Sequence, residues 1–391
     1  MTVSLTKSRI ESIDLLKGLV MVVMALDHVR DYFHFSAFLF DPADPARSTL
    51  PIFFTRWITH FCAPAFSFLA GLSAFLVSKR KTPAELSRFL ASRGLWLVFM
   101  EIFVVSFAWM FDIQFRTILL VTIWSLGISM IALAGLIHLP KKVLLVFCCV
   151  VIFGHNLFDG VHLTGNVLWE MLHDGGAVTL SEHTQIFLGY PLVPWIAVMA
   201  LGYYFGAYYN SSVEPAQRKK IFNIIGVVAL ILFVILRWTN VYGDAVLFEH
   251  GDNATQGIIS FFNPSKYPPS LQYLLMTLGA TFLVLANSEK LKGSIVNFFS
   301  TFGRVPFFYY ILHLYLIHSL AMIFAELTGF GWQLFILPNW ISFVPGFTGY
   351  GVSLLVVYLI WIGVVLLLYP LCKWFDGYKQ RNREKWWLSY L

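Results

Sequence analysis

Windows of ~20 mostly apolar residues, the length a helix needs to cross a bilayer, recur about ten times along this chain. They are centred near residues 22, 65, 103, 128, 149, 197, 229, 279, 312 and 360. Nothing else in the sequence restricts the fold as strongly. The chain reads as an all-α, polytopic integral membrane protein with about ten transmembrane helices, forming one domain over residues 1–391. Composition agrees: 58% of the residues are hydrophobic and 12% charged, outside the range of a soluble globular domain.

Lys7 and Arg9 precede the first apolar run, as in a signal peptide, but that run continues into Asp27 and has no small-residue cleavage site. It reads as an uncleaved first helix. The basic residues are dispersed over short loops: Lys79, Arg80, Lys81, Arg88 and Arg93, then Lys141 and Lys142, then Arg218, Lys219 and Lys220, then Lys290 and Lys292, and finally the tail KWFDGYKQRNREKWW. By the positive-inside rule these loops and both termini are cytoplasmic. The net charge of +6 follows from that topology and argues against nucleic-acid binding. Residues 155–185 and 326–349 are poor in Lys and Arg and should face outward. The four cysteines, Cys62, Cys148, Cys149 and Cys372, lack the spacing of a disulfide framework or a zinc site, and no metal is expected.

The first helix ends in LDHVRDYFH, Leu26 to His34. If it starts inside near Ile13, His28 lies ~22 Å up a hydrocarbon core of ~30 Å. Lys17 and His28 are eleven residues apart, within ~20° of three full turns, and so share a face ~16 Å apart. Ionisable groups at such depth cost roughly 2.5–3.5 kcal/mol each and usually face a polar cavity or a partner. The competing reading puts Asp27, Arg30 and Asp31 at the water interface, with Asp27 and Arg30 paired at i,i+3. The second helix, TRWITHFCAPAFSFLAG, sets Arg56 and His60 at matching depth. His313 and His318 fall on the ninth span on different faces, His313 nearer the midplane.

The opening RIESIDLLKGLVMVVMALDH resembles the heparan-alpha-glucosaminide N-acetyltransferase catalytic-domain family and its bacterial relatives, which begin with a similar S-x-D-x-x-[RK]-G pattern, here Ser12, Asp14, Lys17 and Gly18. The basic residue, ten residues, then histidine of Lys17 and His28 is similar to the wider transmembrane acyltransferases. The resemblance continues through FCAPAFSFLAG at 61–71, GYPLVPW at 189–195, FFNPSKYPPSLQYLLMTLG at 261–279 and FGRVPFFYYILHLYLIH at 302–318. Two departures stand out. The basic position is Lys17 where Arg is commoner, and the lysosomal enzyme's essential histidine lies beyond its first helix, where this chain has His34 and His60.

The resemblance implies an acyltransferase in a lipid bilayer, the bacterial inner membrane, that moves an acetyl group from cytosolic acetyl-CoA to an outward-facing saccharide or glycolipid acceptor. It implies His28 as the base that deprotonates the attacking hydroxyl or amine, with an acyl-histidine intermediate as the alternative. Asp27 or Asp31 would orient that base or hold a cationic acceptor, and Arg56 would bind an anionic sugar or stabilise the oxyanion. Lys17 and Arg304, then Arg9 and Arg93, are the candidate phosphate ligands, with His313 also on the cofactor side. Lys266 and Tyr267 in NPSKYPPS are candidates for acceptor contact, with a plain helix-entry turn as the equal alternative. Pairing into a homodimer is open. The rival class is a proton-coupled small-solute transporter, because membrane His, Asp and Arg also mark ion pathways; no internal repeat of the transporter kind is evident.

Overall fold

The computed structural model describes residues 10–163 and 165–389. Among these, fifteen α-helical segments account for most of the chain: α1 (Glu11–Phe33), α2 (Leu50–Trp57), α3 (Cys62–Ser78), α4 (Pro83–Met100), α5 (Ser106–Met110), α6 (Thr122–Leu136), α7 (Lys141–Gly154), α8 (Val167–Trp169), α9 (Trp195–Gly206), α10 (Pro215–Thr239), α11 (Ala254–Phe262), α12 (Leu271–Ser288), α13 (Ser294–Arg304), α14 (Pro306–Leu327) and α15 (Leu354–Arg381). Seven spans are long and apolar enough to cross a membrane: α2 running into α3, α4 running into α5, α7 with its extension to Phe158, and α10, α12, α14 and α15. The remaining three apolar windows also fall on helices. There α1 is long enough but too charged, while α6 and α9 are only 15 and 12 residues long.

The most charged of these helices is also one of the most enclosed. In α1 the buried residues include Asp27 and Arg30, and the helix packs against α3, α13, α14 and α15. Within a bilayer, helices associate where small residues let their backbones approach closely. At the crossing of α1 and α13, a Cβ on Gly18 would stand 1.7 Å from the Phe299 carbonyl oxygen, and one on Gly303 would stand 1.8 Å from that of Asp14. Only glycine fits at either position. The α3–α9 crossing is built the same way around Gly71 and Gly202.

The expectation of an all-α chain needs one correction. Three four-residue strands form a small sheet in the order β1 (Thr117–Leu120), β3 (Gln185–Leu188), β2 (Gly176–Thr179), with β3 parallel to β1 and antiparallel to β2. Such short strands carry no readable alternation, and the β1–β3 pair joins segments nearly seventy positions apart in the sequence. The sheet leads directly into α6. Glu101, fully buried at the start of the π-helical segment Glu101–Val105 that joins α4 to α5, accepts hydrogen bonds from the backbone N–H groups of Val121 (3.2 Å) and Trp124 (3.0 Å) and so satisfies two otherwise orphaned donors at the start of that helix.

On the loop side of α12, Arg237 donates to the carbonyls of Val246 (2.7 Å) and Ser260 (2.6 Å) and lies 3.6 Å from Asp244. Asp244 in turn accepts from the Ser265 backbone N–H and hydroxyl and from the Ser270 hydroxyl. The Asn263–Ser270 turn, which carries Lys266 and Tyr267, is thereby tied to the end of α10.

Candidate active site

Every third or fourth residue of α1 lies on one face of the helix. Along Asp14, Lys17, Met21, Met24, His28 and Asp31 that face lines three cavities in succession. The stripe covers seventeen residues of rise, ~26 Å. The first cavity, 390 Å³, is lined by Lys17, Arg93, Arg304 and Lys379, with Asp14 as its acid. The second, 90 Å³, holds Asp27, His28, Asp31, Arg56 and Lys266. The third, 620 Å³, is walled by Arg30, Asp31, Tyr190, Tyr267 and Trp340 and by the glycine-containing edge of the sheet. The first two share Met24, Phe66, Thr122 and Tyr310, and the last two share Asp31, Arg56, Val121, Tyr190, Tyr267 and Trp340.

In the small chamber both ring nitrogens of His28 are buried without a hydrogen-bond partner, an arrangement that few buried polar groups show. Aromatic contacts hold the ring instead. It meets Trp109 edge to face with centroids 4.7 Å apart and stacks on His313 at 5.2 Å. His313 bonds through Nδ1 to the Tyr309 carbonyl (3.0 Å), so Nδ1 carries the proton and Nε2 is left as an acceptor.

The charges around His28 are largely matched to one another. Asp27 accepts from Arg30 Nη2 at 3.0 Å through one oxygen and from Arg56 Nη1 through the other. Arg30 also donates to Asp31 (2.6 Å), and Arg56 to the Thr59 hydroxyl (3.1 Å). Asp27 is thus committed to two guanidinium groups rather than orienting His28. Lys266 lies over the Tyr267 ring at 5.1 Å and makes no ion pair among the described residues. Desolvation acts to raise the Tyr267 phenol, but the Lys266 and Arg56 cations outweigh it and leave it below the ordinary phenol value.

The structure brings together Asp27, His28, Asp31 and Arg56, as the sequence reading grouped them. It sets His60 behind them: that ring is buried edge-on to Tyr273 and does not line the chamber, where Thr59 and Cys62 face it instead. His34 is hydrogen-bonded to the Ser36 hydroxyl at 2.6 Å. Lys17 and Arg304 line the cationic cavity, where Lys17 donates to Ser73 (2.7 Å) and Arg304 to Asp376 (2.6 Å). His313, grouped with the cofactor ligands from sequence, stacks on His28 and lines neither cavity. Arg9 lies outside the described residues. Sequence reasoning missed Trp109, Tyr310, Trp340 and Lys379, whose only signal was residue type.

A sequence model of the heparan-alpha-glucosaminide N-acetyltransferase catalytic family matches residues 9–240, more than half of the chain. The chain belongs to that family. No curated protein matches it. The matched acetyltransferase segment runs from α1 to the end of α10 and contains Lys17, Asp27, His28, Asp31, Arg56 and His60, whereas Lys266, Arg304, His313 and Trp340 come from the part that follows. Membership and the apolar helices make the protein an acetyltransferase-type integral membrane enzyme.

Proposed function

We propose that the protein takes an acetyl group from cytosolic acetyl-CoA and passes it to a saccharide or lipid-linked acceptor on the outer face of a bacterial inner membrane. Ten spans with both termini cytoplasmic are part of this reading. So is pairing of two copies into a homodimer. The observation that carries it is the α1 stripe, which joins a cavity with four cations to the chamber where His28 has two unpartnered nitrogens.

Lys17, Arg93, Arg304 and Lys379 suit the phosphates of a coenzyme A thioester, Arg304 with the planar donor set that phosphate recognition favours. Met24, Phe66 and Tyr310, which line both cavities, would flank a thin thioester arm running from one to the other. His28 removes the acceptor's proton and returns it to the departing sulfur, a task suited to an imidazole without competing hydrogen bonds. Asp31, on the wall shared with the outer cavity, faces the incoming acceptor.

The test is binding and turnover of acetyl-CoA by protein in nanodiscs, wild type beside His28→Ala and Arg304→Ala. Arg304→Ala is expected to weaken binding about tenfold or more, the worth of one charged hydrogen bond. His28→Ala is expected to bind normally and lose about 10²–10⁴-fold in turnover. Absence of coenzyme A binding by the wild type refutes the proposal.

A further inference from the structure

Acyl transfer through His28 places negative charge on the thioester carbonyl oxygen, and a site that accelerates it must stabilise that charge more strongly in the transition state than in the ground state. Four cations are candidates by position: Arg30, Arg56, Lys266 and, more distantly, Lys17. The structure separates them. Arg30 is spent on Asp27 and Asp31, Arg56 on Asp27 and Thr59, and Lys17 donates to Ser73 in the inner cavity. Lys266 is hydrogen-bonded to the Tyr267 phenol beside it, and alone among them it both lines the His28 chamber and has no carboxylate in ion-pair range among the described residues.

Resting on the acyl-transfer reading above, we infer that Lys266 is a catalytic residue: its ammonium, lowered into the chamber by the Asn263–Ser270 turn, donates to the carbonyl oxygen of the acyl group as that oxygen becomes an oxyanion. No carboxylate holds this ammonium in the resting chamber, so its attraction for a negative charge that forms beside it is the differential stabilisation catalysis requires. The turn is suited to hold it there. Asp244 accepts three hydrogen bonds from Ser265 and Ser270 on either side of Lys266, and Arg237 backs that carboxylate. The arrangement transfers the role expected of Arg56 to Lys266. It also lies beyond the matched segment of the family.

The step balances without a further reactant. The acceptor lone pair forms a bond to the carbonyl carbon, the carbonyl π pair moves onto oxygen facing Lys266, and the acceptor's proton goes to His28. Collapse restores the carbonyl, breaks the carbon–sulfur bond, and the His28 proton passes to the sulfur to give the free thiol. Lys266 keeps its protons throughout.

The experiment compares wild type, Lys266→Met and Lys266→Arg in nanodiscs, with acetyl-CoA binding read by calorimetry and turnover read as thiol release with hydroxylamine as a small neutral acceptor. Melting curves establish that the variants are folded. The expected result is an unchanged acetyl-CoA Kd, a kcat about 10²–10³-fold lower in Lys266→Met as for removal of one oxyanion donor, and partial recovery in Lys266→Arg. A Lys266→Met enzyme with wild-type kcat overturns the inference while leaving the acyltransferase reading intact. The same holds if only Kd or KM changes, which would make Lys266 a binding group. A wild type that neither binds nor turns over acetyl-CoA overturns both.

Discussion

The crossing of α1 and α13 offers a perturbation whose size can be worked from the backbone. In Gly303→Ala the new methyl would lie 1.8 Å from the Asp14 carbonyl oxygen, whereas ordinary contact begins at 3.4 Å. The obstruction is main chain, which cannot rotate away as a side chain does, so the helices must separate by about 1.5 Å at this point. Overpacking of this kind costs typically ~1–3 kcal/mol, and a backbone obstruction belongs at the upper end. The displacement also reaches the cationic cavity, because Arg304 follows directly and Lys17 lies one residue from the facing glycine, Gly18. Gly303→Ala is therefore expected to melt earlier and to bind acetyl-CoA more weakly by about tenfold, a loss of ~1.4 kcal/mol. Gly363→Ala is the control: the same change within α15, where a Cβ meets nothing within 4 Å, is expected to be neutral or stabilising by up to ~1 kcal/mol. The assays are thermal unfolding in detergent and calorimetric titration with acetyl-CoA. If Gly303→Ala and Gly363→Ala behave alike in both, the backbone contact does not hold these helices and the reasoning fails.

Two further variants probe the chamber. Asp27→Ala leaves Arg56 without its carboxylate and Arg30 with only Asp31, so a destabilisation of about 3–5 kcal/mol is expected; a double-mutant cycle with Arg56→Ala should show strong coupling, and additivity within about 0.5 kcal/mol would show that the pair is energetically irrelevant. Met24→Trp fills the passage between the cationic cavity and His28. Acetyl-CoA should still bind, while turnover falls about 10²-fold as for a misplaced substrate; undiminished turnover would mean the thioester reaches His28 by another route.

Much of this architecture was legible because membrane helices announce themselves by length. The ten apolar windows all fall on helical segments, and the eleven-residue interval between Lys17 and His28 sets both on the stripe that lines the cavities. Periodicity along one helix is a local property. Partnership across helices is not. Arg56 read as a cation available to substrate, yet it is bound to Asp27 on a helix nearly thirty residues away in sequence. Lys379 read as an interfacial anchor, yet it lines the cationic cavity beside Lys17. His313 went to the cofactor side because nothing on its own helix reveals that it stacks on His28. Glu101 and the sheet escaped notice for the same reason: each is defined by segments that meet only after the helices have packed.

The burial of a charged helix at the centre bears on how the protein is made. With Glu11, Asp14, Lys17, Asp27, Arg30 and Asp31 all in its length, α1 is a poor substrate for insertion by hydrophobicity, at roughly 2.5–3.5 kcal/mol for each charge near a helix centre. Its close neighbours α13, α14 and α15 come far later in the chain. α1 thus gains its full setting only after helices far downstream have been made, so assembly is a closure of distant segments around His28, and the small chamber cannot be complete before Tyr310 and Trp340 have joined it.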